Sequence, residues 1–169
     1  LWKISQNHNP SVNSILIANP NINPENLRVD SNIVIPLGFS VVPTNIPYTY
    51  QLVSFIIEGL EVRYPFLSGG VIGQSVMGKN IPFVKIGRGQ TELFYNASHH
   101  ANEWLTTPVL LKFLEEYSES YATGDDIFNT SAREVYNKAS LYIVPVVNPD
   151  GIDLVNGVIN KLDYIKDLG

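Results

Sequence analysis

The chain has 169 residues, of which 44% are hydrophobic and 16% are charged, values typical of a globular protein with one ordinary domain and room for a small module. Its formal net charge of −5 gives no attraction to nucleic acid or anionic lipid. Cysteine is absent, which excludes disulfides and thiol chemistry, and no apolar run is long enough to predict a transmembrane segment.

The first 36 residues are predicted to form one compact α+β unit. LWKIS predicts a short helix at the start, and Ser11 is a suitable N-cap for a second helix. The sequence NPNINPENL, residues 19–27, is rich in Asn and Pro, which favour turns. SNIVIP, residues 31–36, predicts a short strand that ends at a proline.

This unit resembles a LysM domain, a small module that binds wall glycan. The resemblance covers nearly all of residues 1–36 and rests on ANPNINPENL followed by IVIP. It implies glycan contacts from Asn21, Ile22 and Asn23, whereas Trp2 is expected to pack into the interior. The opening strand of that family would precede the first residue, so the chain is expected to be cut at its start.

A linker and a second domain are predicted next. Residues 37–47 contain two prolines and no periodicity, which favours a linker, and residues 48–169 are assigned to the second domain. Thr49 is a suitable cap for its first helix. Residues 69–87 predict a β-hairpin with Gly78-Lys79-Asn80 in the turn. The apolar residues of the first helix recur at helical spacing: Leu52, Phe55, Ile56 and Leu60.

One strand and two helices follow the hairpin. TELFYNAS, residues 91–98, predicts an apolar strand. Thr107 and Pro108 favour the start of a long helix, because proline is well tolerated in a first helical turn. Ser131 and Glu134 have the spacing of a capping box at the start of another helix.

A last strand is predicted in LYIVPVVNPDG, residues 141–151, which is apolar on both faces as in a buried parallel strand. Pro145 lacks a backbone donor, so a local break in the ladder is expected there. We interpret residues 148–151 as a turn leading out of the sheet, with Asp150 as a less favoured candidate for a hydrogen bond to a metal ligand. Strand, helix, helix and strand together predict an α/β layered domain.

A histidine pair follows the strand of residues 91–98. His100 and Glu103 have the spacing H-x-x-E, and in a turn leaving a strand two side chains three residues apart can converge on one ion. A neutral imidazole and a carboxylate are suitable zinc ligands. His99 has no carboxylate three residues later, and His8 is expected on the surface. The alternative left open is an ordinary histidine that hydrogen-bonds to the backbone.

Three motifs in order resemble the zinc carboxypeptidase family, which is carboxypeptidase A-like: IGQSVMGKNIPFVKIG, ELFYNASHHANEW and NPDG, within about residues 48–160. The resemblance implies the N-terminal part of a mixed-sheet domain and a zinc cofactor. His100 and Glu103 would be two zinc ligands, with Trp104 as the aromatic residue that follows them. A third ligand and a glutamate base would lie beyond Gly169, so the chain alone is expected to be inactive.

Asn102, the candidate substrate-binding residue, departs from the H-x-R-E pattern common in family exopeptidases, where the arginine helps to hold substrate. With the LysM-like unit, this favours the branch that hydrolyses γ-D-glutamyl-diamino acid bonds in peptidoglycan stem peptides. Glycan and stem peptide are then the expected partners, in a cell-wall, secreted or spore setting. Three alternatives stay open: a carboxypeptidase of ordinary peptide C-termini, a wall-binding protein with an inactive peptidase half, and a proteolytic piece complemented in trans.

Overall fold

The computed structural model describes residues 1–8, 10–36, 39–160 and 165–166. Two short helices come first: α1 spans Trp2–His8 and α2 spans Val12–Ala18. Ser11 caps α2, since its side chain accepts a hydrogen bond from the Ser14 N–H at 3.0 Å. Both predicted helices are therefore confirmed. In the described part of the chain, no helix has the length and apolar character needed to cross a lipid bilayer.

Residues 31–36 form no strand, so the strand predicted there is wrong. The buried amide of Asn19 takes the place of a strand partner for Val34. Its Oδ1 accepts from the Val34 N–H at 2.8 Å, and its Nδ2 donates to the Val34 carbonyl at 2.7 Å. Because one side chain satisfies both backbone groups of Val34, the segment is held in place without a β-ladder.

Trp2 is 68% exposed, which corrects the expectation that it packs, and His8 is exposed as predicted. The interior of this unit is instead marked by Ile15 on α2, which is fully buried. Helix α2 packs against helices α3, Tyr50–Arg63, and α4, Thr106–Thr123. The N-terminal unit therefore lies directly on the second domain.

Residues 39–47 contain no helix or strand, as expected of a linker, but they are held against the domain. The Ser40 hydroxyl and the Val41 N–H each donate to the Glu115 carboxylate at 2.5 Å. Arg63 donates to the Phe39 carbonyl at 2.6 Å, and the Val42 side chain is 1% exposed. The described part of the predicted linker is therefore a fixed segment.

The main sheet has four strands in the order β1-β2-β6-β3. Strands β1, Ser68–Gln74, and β2, Asn80–Gly87, form the predicted hairpin. Strand β6, Ala139–Val144, runs antiparallel to β2 and parallel to β3, Thr91–Asn96. This mixed sheet confirms the predicted fold class. Strand β6 is almost wholly buried, and it ends directly before Pro145, where the ladder was expected to break.

Helices α3 and α4 pack with the sheet around one core. Thr49 caps α3 as predicted, but Phe55 is 59% exposed, and the buried face is shifted to Val53, Ile56, Ile57 and Leu60. Helix α4 begins one residue before Thr107 and buries Leu111, Leu114 and Tyr117. These helices supply much of the apolar core.

Two further short strands and two further helices lie outside the main sheet: β4, Asp126–Ile127; β5, Thr130–Ser131; α5, Ala132–Lys138; and α6, Pro149–Val155. Helix α5 is present as predicted, but Ser131 makes no side-chain cap bond. Glu134 pairs with Lys138 one turn later instead of reaching back to the helix start. The capping box is therefore wrong although the helix is right.

Glu115 gives a testable acid response. Burial alone would raise its pKa, but hydrogen bonds from Ser40, Lys112 and the Val41 N–H outweigh burial and lower the pKa below its usual value. A lowered folded-state pKa stabilises the protein above the unfolded-state pKa of about 4.3, and that stability is lost as pH falls through the folded-state pKa.

We therefore expect Glu115→Gln to be less stable than the wild type at pH 7, with the difference narrowing below about pH 4. Urea unfolding at a series of pH values measures the difference in unfolding free energy between the two proteins. The other carboxylates contribute equally to both proteins, so the difference reports on Glu115. Parallel curves of unfolding free energy against pH would contradict the role assigned to Glu115.

Candidate metal site

The site begins where β3 and β6 end side by side. Strand β3 ends at Asn96, two residues earlier than predicted, but the backbone stays paired beyond it. The Ala97 N–H donates to the Val144 carbonyl at 3.1 Å, and the Val147 N–H donates to the Ala97 carbonyl at 3.0 Å. The following residues therefore start from the carboxyl end of a parallel strand pair, a usual location for ligand sites in α/β sheets.

Residues Ala101–Glu103 form a 3₁₀ turn directly after the histidine pair. The Glu103 N–H donates to the His100 carbonyl at 3.0 Å, which closes the turn. His100 precedes the turn with an extended backbone, φ −96° and ψ 140°, and Glu103 is its last residue, so the two side chains are attached at the two ends of one hydrogen-bonded turn. Both are exposed, and within the described residues neither side chain has a hydrogen-bond or ion-pair partner. Two zinc-type donors are therefore exposed at the ends of one turn.

His99 is oriented differently from His100. Its Nε2 lies 2.5 Å from the Asn96 Oδ1, so its ring is engaged by the end of β3. Asn102, the predicted substrate contact, is exposed in the middle of the 3₁₀ turn, and Trp104 packs partly buried against the core. The turn thus presents His100, Asn102 and Glu103 to solvent.

Zinc in a catalytic site normally has three protein ligands and one open position. Within residues 1–8, 10–36, 39–160 and 165–166, no group of three or more His, Cys, Asp or Glu side chains could hold a metal ion. His100 and Glu103 have the right chemistry for zinc, and they would provide two of the ligands that such a site needs. The assignment of both residues as ligands stays a prediction.

The sequence Asn148-Pro149-Asp150-Gly151 starts helix α6, so its interpretation as a turn leading out of the sheet is wrong. The Asn148 Oδ1 accepts from the Gly151 N–H at 2.8 Å, and Pro149 occupies the first helical turn. Asn148 at the cap and proline just after it are common signals of a helix start. The other side of the Asn148 amide donates to the His99 carbonyl at 3.2 Å.

Asp150 holds the β1–β2 hairpin. Its carboxylate accepts from the Ser75 hydroxyl at 2.9 Å and from the Met77 N–H at 3.0 Å, and it is 2% exposed. These bonds hold the hairpin turn, and a contact from Asp150 to a metal ligand stays a prediction.

Lys79 completes a buried ionic cluster with Asp150 and Asp153. Its Nζ lies 2.7 Å from an Asp153 oxygen and 3.6 Å from an Asp150 oxygen. Asp153 also accepts from the Tyr50 N–H at 2.8 Å. Sequence reasoning assigned Lys79 to the hairpin turn alone, because its acidic partners lie more than 70 positions away. The cluster fixes the hairpin turn and the start of α3 to helix α6.

Two cavities lie near predicted functional segments. One of about 420 Å³ is lined by the predicted glycan contacts Asn21, Ile22 and Asn23 together with Arg28. Another of about 580 Å³ lies beside the 3₁₀ turn, and its lining is largely apolar: Tyr95, Leu105, Val109, Phe113 and Phe128. Sequence reasoning missed the second cavity, although exposed aromatic and aliphatic residues at a strand end are a usable signal.

Comparison with known proteins defines the class. The sequence profile of the zinc carboxypeptidases matches residues 54–162, and the chain therefore belongs to the zinc carboxypeptidase family. Zinc is the metal of this family. The chain is 43% identical over 108 residues to gamma-D-glutamyl-L-diamino acid endopeptidase 1 of Lysinibacillus sphaericus, covering 64% of this chain and 27% of that protein.

Human carboxypeptidase B is 33% identical over 88 residues, which covers 50% of this chain and 20% of that protein. The structure of bovine thrombin-activatable fibrinolysis inhibitor aligns with a TM-score of 0.54 and 23% identity, over 64% of this chain and 33% of that one. The structural likeness shows the fold. The chain spans about a quarter of the length of these curated relatives.

The Lys79 cluster leads to a stability prediction. Lys79→Met keeps an apolar stem but leaves two nearly buried carboxylates without their cation, so we expect a loss of about 2–3 kcal/mol in unfolding free energy. The control is Lys138→Ala, which removes the exposed partner of Glu134 and should leave the urea midpoint near that of the wild type. Equal midpoints for Lys79→Met and the wild type would show that the cluster is not stabilising.

Proposed function

We propose that this chain is part of a zinc peptidase that hydrolyses γ-D-glutamyl-diamino acid bonds in peptidoglycan stem peptides. The observation that carries the proposal is the hydrogen-bonded 3₁₀ turn with exposed His100 and Glu103 at its two ends, in a member of the zinc carboxypeptidase family. Zinc at such a site lowers the pKa of a bound water toward about 7 and polarises the scissile carbonyl. His100 and Glu103 would supply two of its ligands.

The neutral side chain of Asn102 supports the choice of substrate. A fixed cation between the two ligands would favour a peptide ending in a free carboxylate, because charge-assisted hydrogen bonds to carboxylates are strong. Asn102 offers an amide there instead, which suits an internal bond. The endopeptidase of Lysinibacillus sphaericus, with 43% identity, points the same way through its name.

An ordinary carboxypeptidase is the second candidate, supported by the 33% identity to human carboxypeptidase B. The two candidates differ in the substrate that the complete protein would prefer. The third candidate is a wall-binding protein without hydrolytic activity. This candidate applies if no further ligand joins His100 and Glu103 to form a metal site. In the first and third cases the protein would act at the cell wall, outside the cell or in a forming spore.

The N-terminal unit is proposed to hold wall glycan. The cavity of about 420 Å³ lined by Asn21, Ile22 and Asn23 supports this, since amide side chains beside an aliphatic surface suit the hydroxyls and ring faces of sugars. The LysM-like assignment of residues 1–36 remains part of this proposal. Peptidoglycan glycan and its attached stem peptide would then be bound by one protein.

We expect the full protein that carries this sequence to cleave a γ-D-glutamyl-diaminopimelate or γ-D-glutamyl-lysine peptide, and to lose activity with a chelator. Zinc should restore the activity. His100→Ala and Glu103→Gln should each reduce kcat/KM by at least about 100-fold, because each removes a metal ligand. Liquid chromatography of the products measures all of these.

The controls separate the three candidates. Preference for a peptide with an ordinary free C-terminus would favour the carboxypeptidase, and hydrolysis of neither substrate would favour the wall-binding protein. Activity that persists after complete removal of metal would exclude zinc catalysis. His99→Ala serves as the matched control, because its ring contacts Asn96 and should not contribute a ligand.

We expect the chain to be retained on purified peptidoglycan at moderate salt, and the double variant Asn21→Ala/Asn23→Ala to be retained less. Asn13→Ala, an exposed asparagine on α2 that does not line the cavity, is the matched control. A sedimentation assay with insoluble peptidoglycan measures the bound fraction. Equal retention of the double variant and the wild type would remove this loop from the proposed glycan site.

A further inference from the structure

In the described part of the chain, the directions of the His100 and Glu103 side chains are not fixed by side-chain contacts. Within the described residues, neither side chain has a hydrogen-bond partner that would fix its direction. A metal site needs ligands held close to their final geometry, and supporting contacts usually provide this. The direction of these two side chains therefore depends on the backbone of residues 98–103, and on whatever holds that backbone.

Ser98 begins this segment in a strained conformation. Its φ of 51° lies in the left-handed region, which is uncommon for a residue with a side chain, and the residue is 2% exposed. Such strain persists only where neighbouring groups determine the conformation, and it concentrates at functional sites.

The polar groups of Ser98 are all engaged. Its N–H donates to the Thr106 hydroxyl at 2.9 Å, and its carbonyl accepts from the Asn148 N–H at 3.0 Å. Its own hydroxyl lies 2.7 Å from that of Thr107.

The hydroxyls of Thr106 and Thr107 connect Ser98 to two backbone carbonyls. The Thr106 hydroxyl accepts from Ser98 and donates to the Glu103 carbonyl at 2.8 Å. The Thr107 hydroxyl donates to the Pro145 carbonyl at 2.6 Å, so it is free to accept from Ser98. One relay thus ends on the backbone of Glu103, and the other anchors Ser98 to the end of strand β6.

Asn148 fixes the histidine side of the same segment. Its Oδ1 caps helix α6, which leaves its Nδ2 to donate to the carbonyl of His99, the residue before His100. A Cβ placed on Gly151 would lie 2.6 Å from that Nδ2, so the close approach of the amide requires glycine at this position.

We propose that Ser98, Thr106, Thr107 and Asn148 are positioning residues for the metal ligands, acting through the backbone of the turn. The hydroxyl relay sets the peptide of Glu103, and the Asn148 amide sets the peptide that leads into His100. This inference rests on the proposed role of His100 and Glu103. All four residues would act through hydrogen bonds within the chain, and relays of this kind hold a geometry firmly because each member polarises the next.

The test measures zinc affinity in the full protein by competition with a chromophoric chelator, and records the visible absorption of the Co²⁺ form. Thr107→Val removes the hydroxyl and keeps the shape, and Thr107→Ser keeps the hydroxyl. Asn148→Ser keeps a capping oxygen but is too short to donate to His99. Gly151→Ala displaces the Asn148 amide from a second direction.

We expect Thr107→Val, Asn148→Ser and Gly151→Ala each to weaken zinc binding by about 10-fold and to change the Co²⁺ spectrum. Thr107→Ser should restore both. Ile143→Val, a small change at a fully buried position of β6, controls for lost stability and should keep wild-type affinity. If Thr107→Val fails to fold, the zinc affinity and the Co²⁺ spectrum of Asn148→Ser test the proposal.

The possible failures differ. Wild-type affinity and spectrum in both Asn148→Ser and Gly151→Ala would overturn the positioning role, provided that His100→Ala still weakens zinc binding. Unchanged zinc binding in His100→Ala and Glu103→Gln would instead overturn the proposed metal site itself.

Discussion

Pro145 has no backbone N–H, and this missing donor ends strand β6 at the place where the candidate site starts. Pairing resumes two residues later, when the Val147 N–H reaches the Ala97 carbonyl. The carbonyl of Pro145 is left beside helix α4, where the Thr107 hydroxyl binds it at 2.6 Å. One break in the ladder therefore joins strand β6, helix α4 and, through Ser98, the turn that carries His100.

Elements with local signals could be predicted from the sequence. The hairpin, the parallel strand pair and the helix capped by Thr49 depend on turn residues, apolar runs and spacing that lie close together. The strand expected at residues 31–36 failed because its β-branched residues fit a strand, whereas the nearest partner for Val34 is the amide of Asn19, fifteen positions earlier. A side chain that takes the place of a strand partner leaves no periodic pattern in the sequence.

The sequence predicts the candidate metal ligands but not the residues that hold them in place. The spacing of His100 and Glu103 and the following tryptophan are local, so the sequence shows them directly. The supporting bonds are not local: Thr107 reaches 38 positions along the chain, and Asn148 reaches 49. Asn148 and Pro149 are two helix-start signals. In the structure they outweigh the turn preference of Asp150-Gly151, and helix α6 begins there.

The buried carboxylate of Glu115 and the side chain of Arg63 fix the segment that follows the N-terminal unit. Glu115 binds Ser40 and Val41, and Arg63 holds the carbonyl of Phe39. A flexible linker would leave a glycan-binding unit free to sample many orientations, whereas residues 39–47 are fixed on α3 and α4. If the loop at Asn21 holds glycan, the orientation of the bound strand relative to the turn at His100 is then set by the fold, and the reachable stem peptides are those at a defined position along the glycan.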